Sequence, residues 1–481
     1  MDTNIFNIIE FENELKKIVP KGDISIPPQI NFGHLSFNGL FIDKSKKEEL
    51  IKFIDNCNFI KKYEILPSGF LNMWINNITV NMDVSQLNNN ETIHIEYCSP
   101  NPTGDLHLGH FRNIIVGFAV VNLLKLTGHN VITEIYINDQ GLQMDQFFET
   151  VLYYISKDDK YKIYYKGEYV KDIAEELGTI VDKTALVDLL LVKIQKTLSS
   201  INVKHDIVVK ESSLHNQMEK VMEILKEKNL IYEGKLENQK TTGTHILLKT
   251  SEMGLETDSV LKRNNESYTY FAFDIAYHYD KYLRGFKNQI CVVAEDHQNH
   301  INKLQTTLKN VFDINVKYIK YHMLHLLKGT ELIIMSKREG NIISIPDLLK
   351  IVNLDYAKWI ILSYNNQKTI RLDLDNITNN NVIVDLKHLI NFINELTYVN
   401  DAEDITIDPL FRLTLFWKLM IQKSVQNFDN HKILEFTTEI IKEAKKIVSN
   451  IIGNKVPYKY KLVFLNVKTM LQFTCDVLHI S

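Results

Sequence analysis

The chain has 481 residues, 45% of them hydrophobic, and a formal net charge of −4. That length exceeds one compact core and suggests about three domains of ~100–200 residues each, while the apolar content excludes a disordered chain. A slightly acidic total gives no whole-chain attraction to nucleic acid, so any RNA contact has to rest on local basic surface. The N-terminus carries Asp2, Glu10, Glu12 and Glu14, unlike a cationic signal or transit segment. Residues 1–90 read as an α+β unit closed by the polar break Ser85-Gln86-Leu87-Asn88-Asn89-Asn90, in which Phe70 and Trp74 are either core side chains or platforms for bases. Cys57, Cys98, Cys291 and Cys475 show neither metal spacing nor close pairing, which suits a reducing cytosol.

After this unit, Ile93-His94-Ile95 has strand character and Ser99-Pro100-Asn101-Pro102-Thr103-Gly104 forms a stiff turn, followed by a buried helix over Phe111 to Leu126. The apolar part of that helix contains Asn122 and Lys125 and falls short of the ~20 residues a membrane span needs. Between turn and helix lies His107-Leu108-Gly109-His110. A helix start offers unpaired N–H groups and a positive dipole end, Gly109 removes a Cβ that would keep a ligand off, and two imidazoles add donors. The combination suits a nucleotide triphosphate. Histidines three apart could be half of a metal site, but no Cys or carboxylate pair stands nearby with ligand spacing, and no residue is assigned to a metal.

Further along, Ser213 to Ile231 has helix periodicity, Thr244-His245-Ile246-Leu247-Leu248-Lys249 reads as a strand, and Cys291-Val292-Val293-Ala294 is a short apolar strand leading into Glu295-Asp296-His297. Met335-Ser336-Lys337-Arg338-Glu339-Gly340-Asn341 places adjacent cations on a glycine-containing loop. Beyond Ile351 the chain is mainly helical, with apolar residues recurring at three and four in Leu386 to Leu396 and Leu434 to Ile452. Lys445, Lys446, Lys455, Lys459 and Lys461, interleaved with Tyr458 and Tyr460, are either a solvated face or an RNA contact.

His107-Leu108-Gly109-His110 and the distant Met335-Ser336-Lys337-Arg338, in this order, resemble the HIGH and KMSKS signatures of class I aminoacyl-tRNA synthetases. Glu96 to Asn113, Tyr136-Ile137-Asn138-Asp139-Gln140-Gly141, Tyr165-Lys166-Gly167-Glu168-Tyr169, Lys210-Glu211-Ser212-Ser213-Leu214 and Ser267 to His278 narrow the resemblance to bacterial-type arginyl-tRNA synthetase. Gly33 to Asn38 and Gly69 to Trp74 are similar to blocks of that family's N-terminal domain. The resemblance implies an N-terminal tRNA-binding domain over 1–90. It implies a Rossmann-like doubly wound catalytic domain over 91–350, with an insertion at about 150–265 and the MSKR loop at 335–341. An all-α anticodon-binding domain would follow over 351–481.

The implied activity is ATP-dependent formation of arginyl-adenylate and transfer of arginine to the 3′ end of tRNA(Arg), by a cytoplasmic monomer with Mg²⁺ accompanying the nucleotide. His107, Gly109, His110, Met335, Ser336, Lys337 and Arg338 would hold ATP, with His107, His110 and Lys337 catalytic. Glu96, Asn101, Tyr270, Asp274 and His297 would hold arginine, whose rigid guanidinium fork calls for a planar anion. From the residues alone, Tyr270 would be a core tyrosine and Asp274 a helix N-cap.

Ile334 departs from the first lysine of KMSKS. Asp355-Tyr356-Ala357-Lys358-Trp359 and Asp385-Leu386-Lys387-His388-Leu389 depart from the C-terminal pattern, and no anticodon-reading residue is named. These departures suggest a catalytically weakened synthetase-like RNA-binding or regulatory protein as an alternative; another is a class I synthetase for cysteine or glutamate, which Asp274 and Glu96 together oppose.

Overall fold

The computed structural model describes residues 5–76, 78–88, 91–179, 182–235, 243–295, 298–328, 331–333, 343–373, 382–400, 405–451 and 453–480. The chain divides into two compact units, one of residues 90–121 and 129–378, the other of residues 1–89, 122–128 and 379–481.

The first unit is built on a five-stranded sheet in the order Asn315–Tyr321, Asn288–Ala294, Thr92–Glu96, Asn130–Ile137, Ile207–Lys210, with every neighbouring pair parallel. Parallel strands need crossover connections that cover both faces, so their sequences run apolar without alternation. Asn130–Ile137 follows that rule and is buried continuously from Thr133 to Ile137. From the central strand Thr92–Glu96 the chain moves one way to Asn130–Ile137 and Ile207–Lys210, then the other way to Asn288–Ala294 and Asn315–Tyr321. The order reverses beside Thr92–Glu96, and such a reversal opens a crevice at the carboxyl ends of the strands. This is the doubly wound α/β fold expected from the sequence.

Helix Leu108–Leu126 crosses from the central strand to its neighbour. It is apolar around its whole circumference and therefore has to be covered on all sides; Leu108, Phe111, Ile114, Ile115 and Leu123 are fully buried. The helix begins three residues earlier than the apolar pattern suggests, which brings His110 into its first turn. Gly117 lets it approach the strand closely, since a Cβ there would stand 2.4 Å from Cγ of Tyr97.

Two polar side chains of this helix tie the unit together. The Asn113 amide accepts from the Cys98 N–H at 2.6 Å and donates to the Val292 carbonyl at 2.8 Å, joining the two strands that diverge at the reversal. The buried Arg112 guanidinium donates to the carbonyls of His322 (2.6 Å), Lys368 (2.8 Å), Asn365 and Asn366 (both 3.2 Å).

Among the residues expected as the insertion, helices Gly141–Ser156, Glu168–Leu177 and Lys183–Ser200 close over a core that includes Phe147, Tyr165, Val170, Leu186 and Leu190. Ile207–Lys210 is the edge strand of the main sheet. Helix His215–Glu227 packs on helix Tyr270–Leu283 through Met218, Val221, Phe271 and Ile275. Ile231–Gly234, His245–Leu248 and Ser259–Lys262 form a separate antiparallel sheet.

The second unit combines both chain ends. An antiparallel sheet in the order Ile24–Ser25, Leu35–Phe37, Leu71–Ile75, Ile60–Ile65 is flanked by helices Ile8–Ile18 and Lys47–Asp55. Helices Val382–Glu395, Asp408–Asn427, Asn430–Val448 and Lys461–Leu478 make the expected all-α bundle. The His34 ring meets Phe411 edge-on at 5.2 Å, linking sheet to bundle inside the unit. Phe70 and Trp74 are half-buried, and Lys62 lies 4.6 Å above the Trp74 ring. Lys442 and Lys446 pair with Glu439 and Glu443 of their own helix, whereas Lys459 lies over Tyr460 and Lys461 over Tyr458 and Tyr398. Among the described residues no helix is long and apolar enough to cross a membrane.

Replacing Arg112 by Met would take this donor from the His322 and Lys368 carbonyls, while those of Asn365 and Asn366 keep the N–H groups of Lys368 and His322. Each unsatisfied buried group costs ~1–3 kcal/mol, so Arg112→Met is expected to lower unfolding stability by ~3 kcal/mol or more in a urea titration followed by circular dichroism.

Candidate functional site

The crevice at the reversal is lined first by the segment leaving the central strand. Cys98 has a backbone φ of +63°, in the left-handed region, which turns the chain sharply into Ser99 to Gly104. Asn101 donates from Nδ2 to Oε1 of Gln143 at 2.6 Å. The Tyr169 ring lies against Gly104, whose φ of +129° and missing Cβ let the turn close on it.

At the start of helix Leu108–Leu126 the two histidines fold onto one another, their rings 3.9 Å apart and inclined by 32°. Nδ1 of His107 accepts from the Gly109 N–H at 3.0 Å, and Nδ1 of His110 accepts from the His107 N–H at 3.2 Å. With both Nδ1 atoms as acceptors, the proton of each ring sits on Nε2, so each imidazole is a donor at its outer edge. The space left by Gly109 is taken by His107 itself, because a Cβ there would stand 2.8 Å from Cε1 of that ring. The Leu108 N–H donates to the Ile343 carbonyl at 3.1 Å and the Ile345 N–H to the Leu106 carbonyl at 3.0 Å. Residues 343–345, just past the cationic loop, are thereby fixed to the histidine motif. Met335, Ser336, Lys337, Arg338 and Ile334 lie outside the described residues, as does His297.

A second group gathers around helix Tyr270–Leu283. Thr269 caps it, its Oγ1 accepting from the Ala272 N–H at 3.3 Å, so Asp274 stands in the second turn and does not serve as the cap. Tyr270 is 57% exposed, and its hydroxyl is 3.9 Å from where a Gly141 Cβ would be, so its ring is open to the crevice side of Tyr136 to Gly141. Asp274 Oδ2 and His300 Nε2 are 2.5 Å apart, and this hydrogen bond raises the His300 pKa above its ordinary value against the effect of burial.

Glu211, directly after the edge strand, accepts from the Tyr136 hydroxyl at 2.9 Å. Burial pushes its carboxyl up to about 7; the Tyr136 bond works the other way, and the charges of Asp274 and Asp139 add to the rise. Asp139 in turn accepts from the Ser212 N–H (2.9 Å) and Oγ (2.6 Å). Burial raises the Tyr136 phenol, and the charges of Glu211, Asp274 and Glu96 add to the rise.

Glu96 at the end of the central strand is held differently. Its Oε2 is 2.5 Å from Nζ of the fully buried Lys281 and its Oε1 accepts from Ser99 Oγ at 2.8 Å. Burial opposes its charge, but Lys281, His278 and Ser99 together keep the carboxyl below the usual range. Glu134 is likewise kept ionised in spite of burial, by His94 and a two-pronged contact from Arg284 at 2.6 and 3.1 Å. The crevice thus contains two compensated carboxylates, Glu96 and Glu134, and a mutually repelling set at Glu211, Asp274 and Asp139. Like charges so placed are relieved by protonation or by a bound cation.

The structure therefore gathers Glu96, Asn101, His107, Gly109, His110, Tyr270 and Asp274 at the carboxyl ends of one sheet. Sequence reasoning assigned no role to Glu211, Lys281, His300, Arg112 or Asn113. The signal for Glu211 is its place one residue past the strand Ile207–Lys210, legible only once that short apolar run is known to join the main sheet.

The family described as tRNA synthetases class I (R), catalytic domain, matches residues 75–389. Arginine–tRNA ligase of Wolbachia pipientis subsp. Culex pipiens (strain wPip) is 29% identical over 433 residues, covering 79% of this chain and 76% of that protein. Arginine–tRNA ligase of Ehrlichia ruminantium (strain Gardel) is 27% identical over 507 residues, covering 91% and 87%. Among solved structures, Thermus thermophilus arginyl-tRNA synthetase shares the fold, with a TM-score of 0.73 at 14% identity over 98% of both chains.

If Gly109 serves the His107 ring, Gly109→Ala should weaken ATP binding about tenfold, ~1.4 kcal/mol, in a calorimetric titration. The melting temperature should stay level or rise slightly, because alanine is the better helix former by ~1 kcal/mol.

Proposed function

The chain belongs to the class I tRNA synthetases for arginine and is an arginine–tRNA ligase acting on arginine, ATP and tRNA, and on that premise we propose how its crevice holds arginine and ATP. The observation that carries the proposal is the carboxylate set Glu211, Asp274 and Asp139, paired with no lysine or arginine among the described residues, beside an exposed tyrosine. Arginine's guanidinium, always charged and forked, bridges Asp274 and Glu211, with the Tyr270 ring against its face. Glu96 is a further carboxylate of the pocket, Asn101 grips the amino-acid backbone of arginine, and His297 completes the pocket. A glutamate-specific site would place its anionic substrate against these same carboxylates, and a catalytically lost relative is not favoured.

The histidine Nε2–H donors take the ATP phosphates. The arginine carboxylate attacks the α-phosphorus, pyrophosphate leaves, and a terminal ribose hydroxyl of tRNA then displaces AMP. Charge only moves among phosphate oxygens, so alignment and fixed donors provide the acceleration. Lys337, with Met335, Ser336 and Arg338 around it, steadies the leaving pyrophosphate. It lies six residues before Ile343, within about 20 Å of chain from the histidine motif.

Mg²⁺ enters with the nucleotide. It is carried by phosphate oxygens and water. Residues 1–90 serve the tRNA body and residues 351–481 the anticodon, in a cytoplasmic monomer; the Lys459–Lys461 tyrosine cluster supports an RNA-facing surface there.

Charging of tRNA(Arg) with each of the twenty radiolabelled amino acids tests the activity: arginine alone should be incorporated, and incorporation of none overturns it. Asp274→Asn is expected to raise the KM for arginine about 100-fold, ~3 kcal/mol, with the KM for ATP little changed. The guanidinium needs an ionised Glu211, whose carboxyl titrates at about 7. Protonated His300 competes for Asp274. Both effects act in one direction, so the KM for arginine should fall as pH rises from 6 to 8, and Glu211→Gln should flatten that dependence.

A further inference from the structure

We propose that Thr197 is a positioning residue, which fastens the histidine motif to helix Lys183–Ser200 through Asp105. This rests on the reading above that His107 and His110 take the ATP phosphates. Thr197 stands in the last turn of its helix and is 4% exposed, which leaves it almost no surface to offer a substrate. A threonine or serine within a helix commonly returns its hydroxyl to the carbonyl four residues earlier. Thr150 and Ser199 do so, donating to the Gln146 and Gln195 carbonyls at 2.9 and 2.8 Å. Thr197 instead donates out of its helix, its Oγ1 lying 2.8 Å from Oδ1 and 2.9 Å from Oδ2 of Asp105.

Asp105 passes this hold on to the motif. Its Oδ1 also accepts from the Leu106 N–H at 2.7 Å, and the carbonyl of the fully buried Leu106 accepts from the Ile345 N–H at 3.0 Å. His107 itself bridges to Ser344. The two residues before His107 are thus held by helix Lys183–Ser200 through a side chain and by residues 343–345 through the backbone. Packing does less here, because Thr197, Lys193 and Lys196 of the helix line a cleft of about 810 Å³ together with Asp105, Ser344 and Asp347. Without the Thr197 hydroxyl the turn before His107 is free to shift, and a misplacement of about 1 Å can cost on the order of 100-fold in aligned chemistry. Asn101 is held separately, by Gln143, so the loss falls on ATP and spares arginine.

The test is a double-mutant cycle in tRNA-dependent pyrophosphate exchange, using Thr197→Val, which keeps the shape and removes the donor, Asp105→Ala, and both together. Each single variant should lower kcat/KM for ATP about tenfold and change the KM for arginine less than about twofold. Thr197→Ser, which keeps the hydroxyl, should stay within about twofold of the unaltered protein. In the Asp105→Ala background Thr197→Val should add less than about twofold. A threonine that only fills space would give a Thr197→Ser as impaired as Thr197→Val, a loss shared equally by ATP and arginine, or effects that multiply in the double variant, and any of these overturns the proposal. His110→Ala tests the premise separately: if it leaves kcat/KM for ATP unchanged, the histidine reading fails and the proposal with it. A defective His110→Ala beside a silent Thr197→Val refutes the tie alone. Should one of the two single variants fail to fold, the other decides by the same split between ATP and arginine.

Discussion

The crevice depends on one side-chain amide. Strands Thr92–Glu96 and Asn288–Ala294 part company where the sheet reverses direction, and the Asn113 amide spans them, accepting from one chain and donating to the other. A carboxamide can do both at once, its oxygen accepting and its nitrogen donating. Because Asn113 stands on the same helix as His110, the spacing of the two strand ends and the position of the histidine pair are set together. The neighbouring Arg112 does the same for the backbone at 322 and 365–368. The motif that looks in sequence like a phosphate site is, for half its length, a clamp on the framework that carries it.

Charge placement then separates scaffold from substrate site. Glu134 and Glu96 are buried acids whose counter-ions, Arg284 and Lys281, come from the same stretch of chain. Both pairs are closed in the absence of any ligand. Among the described residues, Glu211 meets a phenol and Asp274 an imidazole, partners that are not permanently charged as lysine and arginine are.

Much of the architecture was legible from periodicity. The strand at Ile93–Ile95, the all-apolar helix, the strand at Cys291–Ala294 and the late amphipathic helices all lie where their patterns put them, because each is long or apolar enough to be unambiguous. Ile207–Lys210 was not legible as part of the main sheet: four residues carry no periodicity that distinguishes an edge strand from a buried turn of an insertion. Glu211 was missed with it. The roles of Arg112 and Lys281 were hidden for another reason. Their partners are backbone carbonyls and a carboxylate more than 180 residues away, and no local pattern encodes so distant a contact. The histidine motif and Asp274 were legible through resemblance, since taken singly each would have passed for a packed ring or a cap.

The strand order has a consequence for how the chain comes into being. The central strand can pair at once with Asn130–Ile137, but its other edge is filled by Asn288–Ala294, which leaves the ribosome roughly 190 residues later. At ~5–20 residues per second, that edge stays bare for ~10–40 s of synthesis. An unpaired apolar edge is a template for pairing with other chains, so the nascent half-sheet, rather than the finished protein, is the species in which the polypeptide is most exposed to aggregation and most dependent on being shielded.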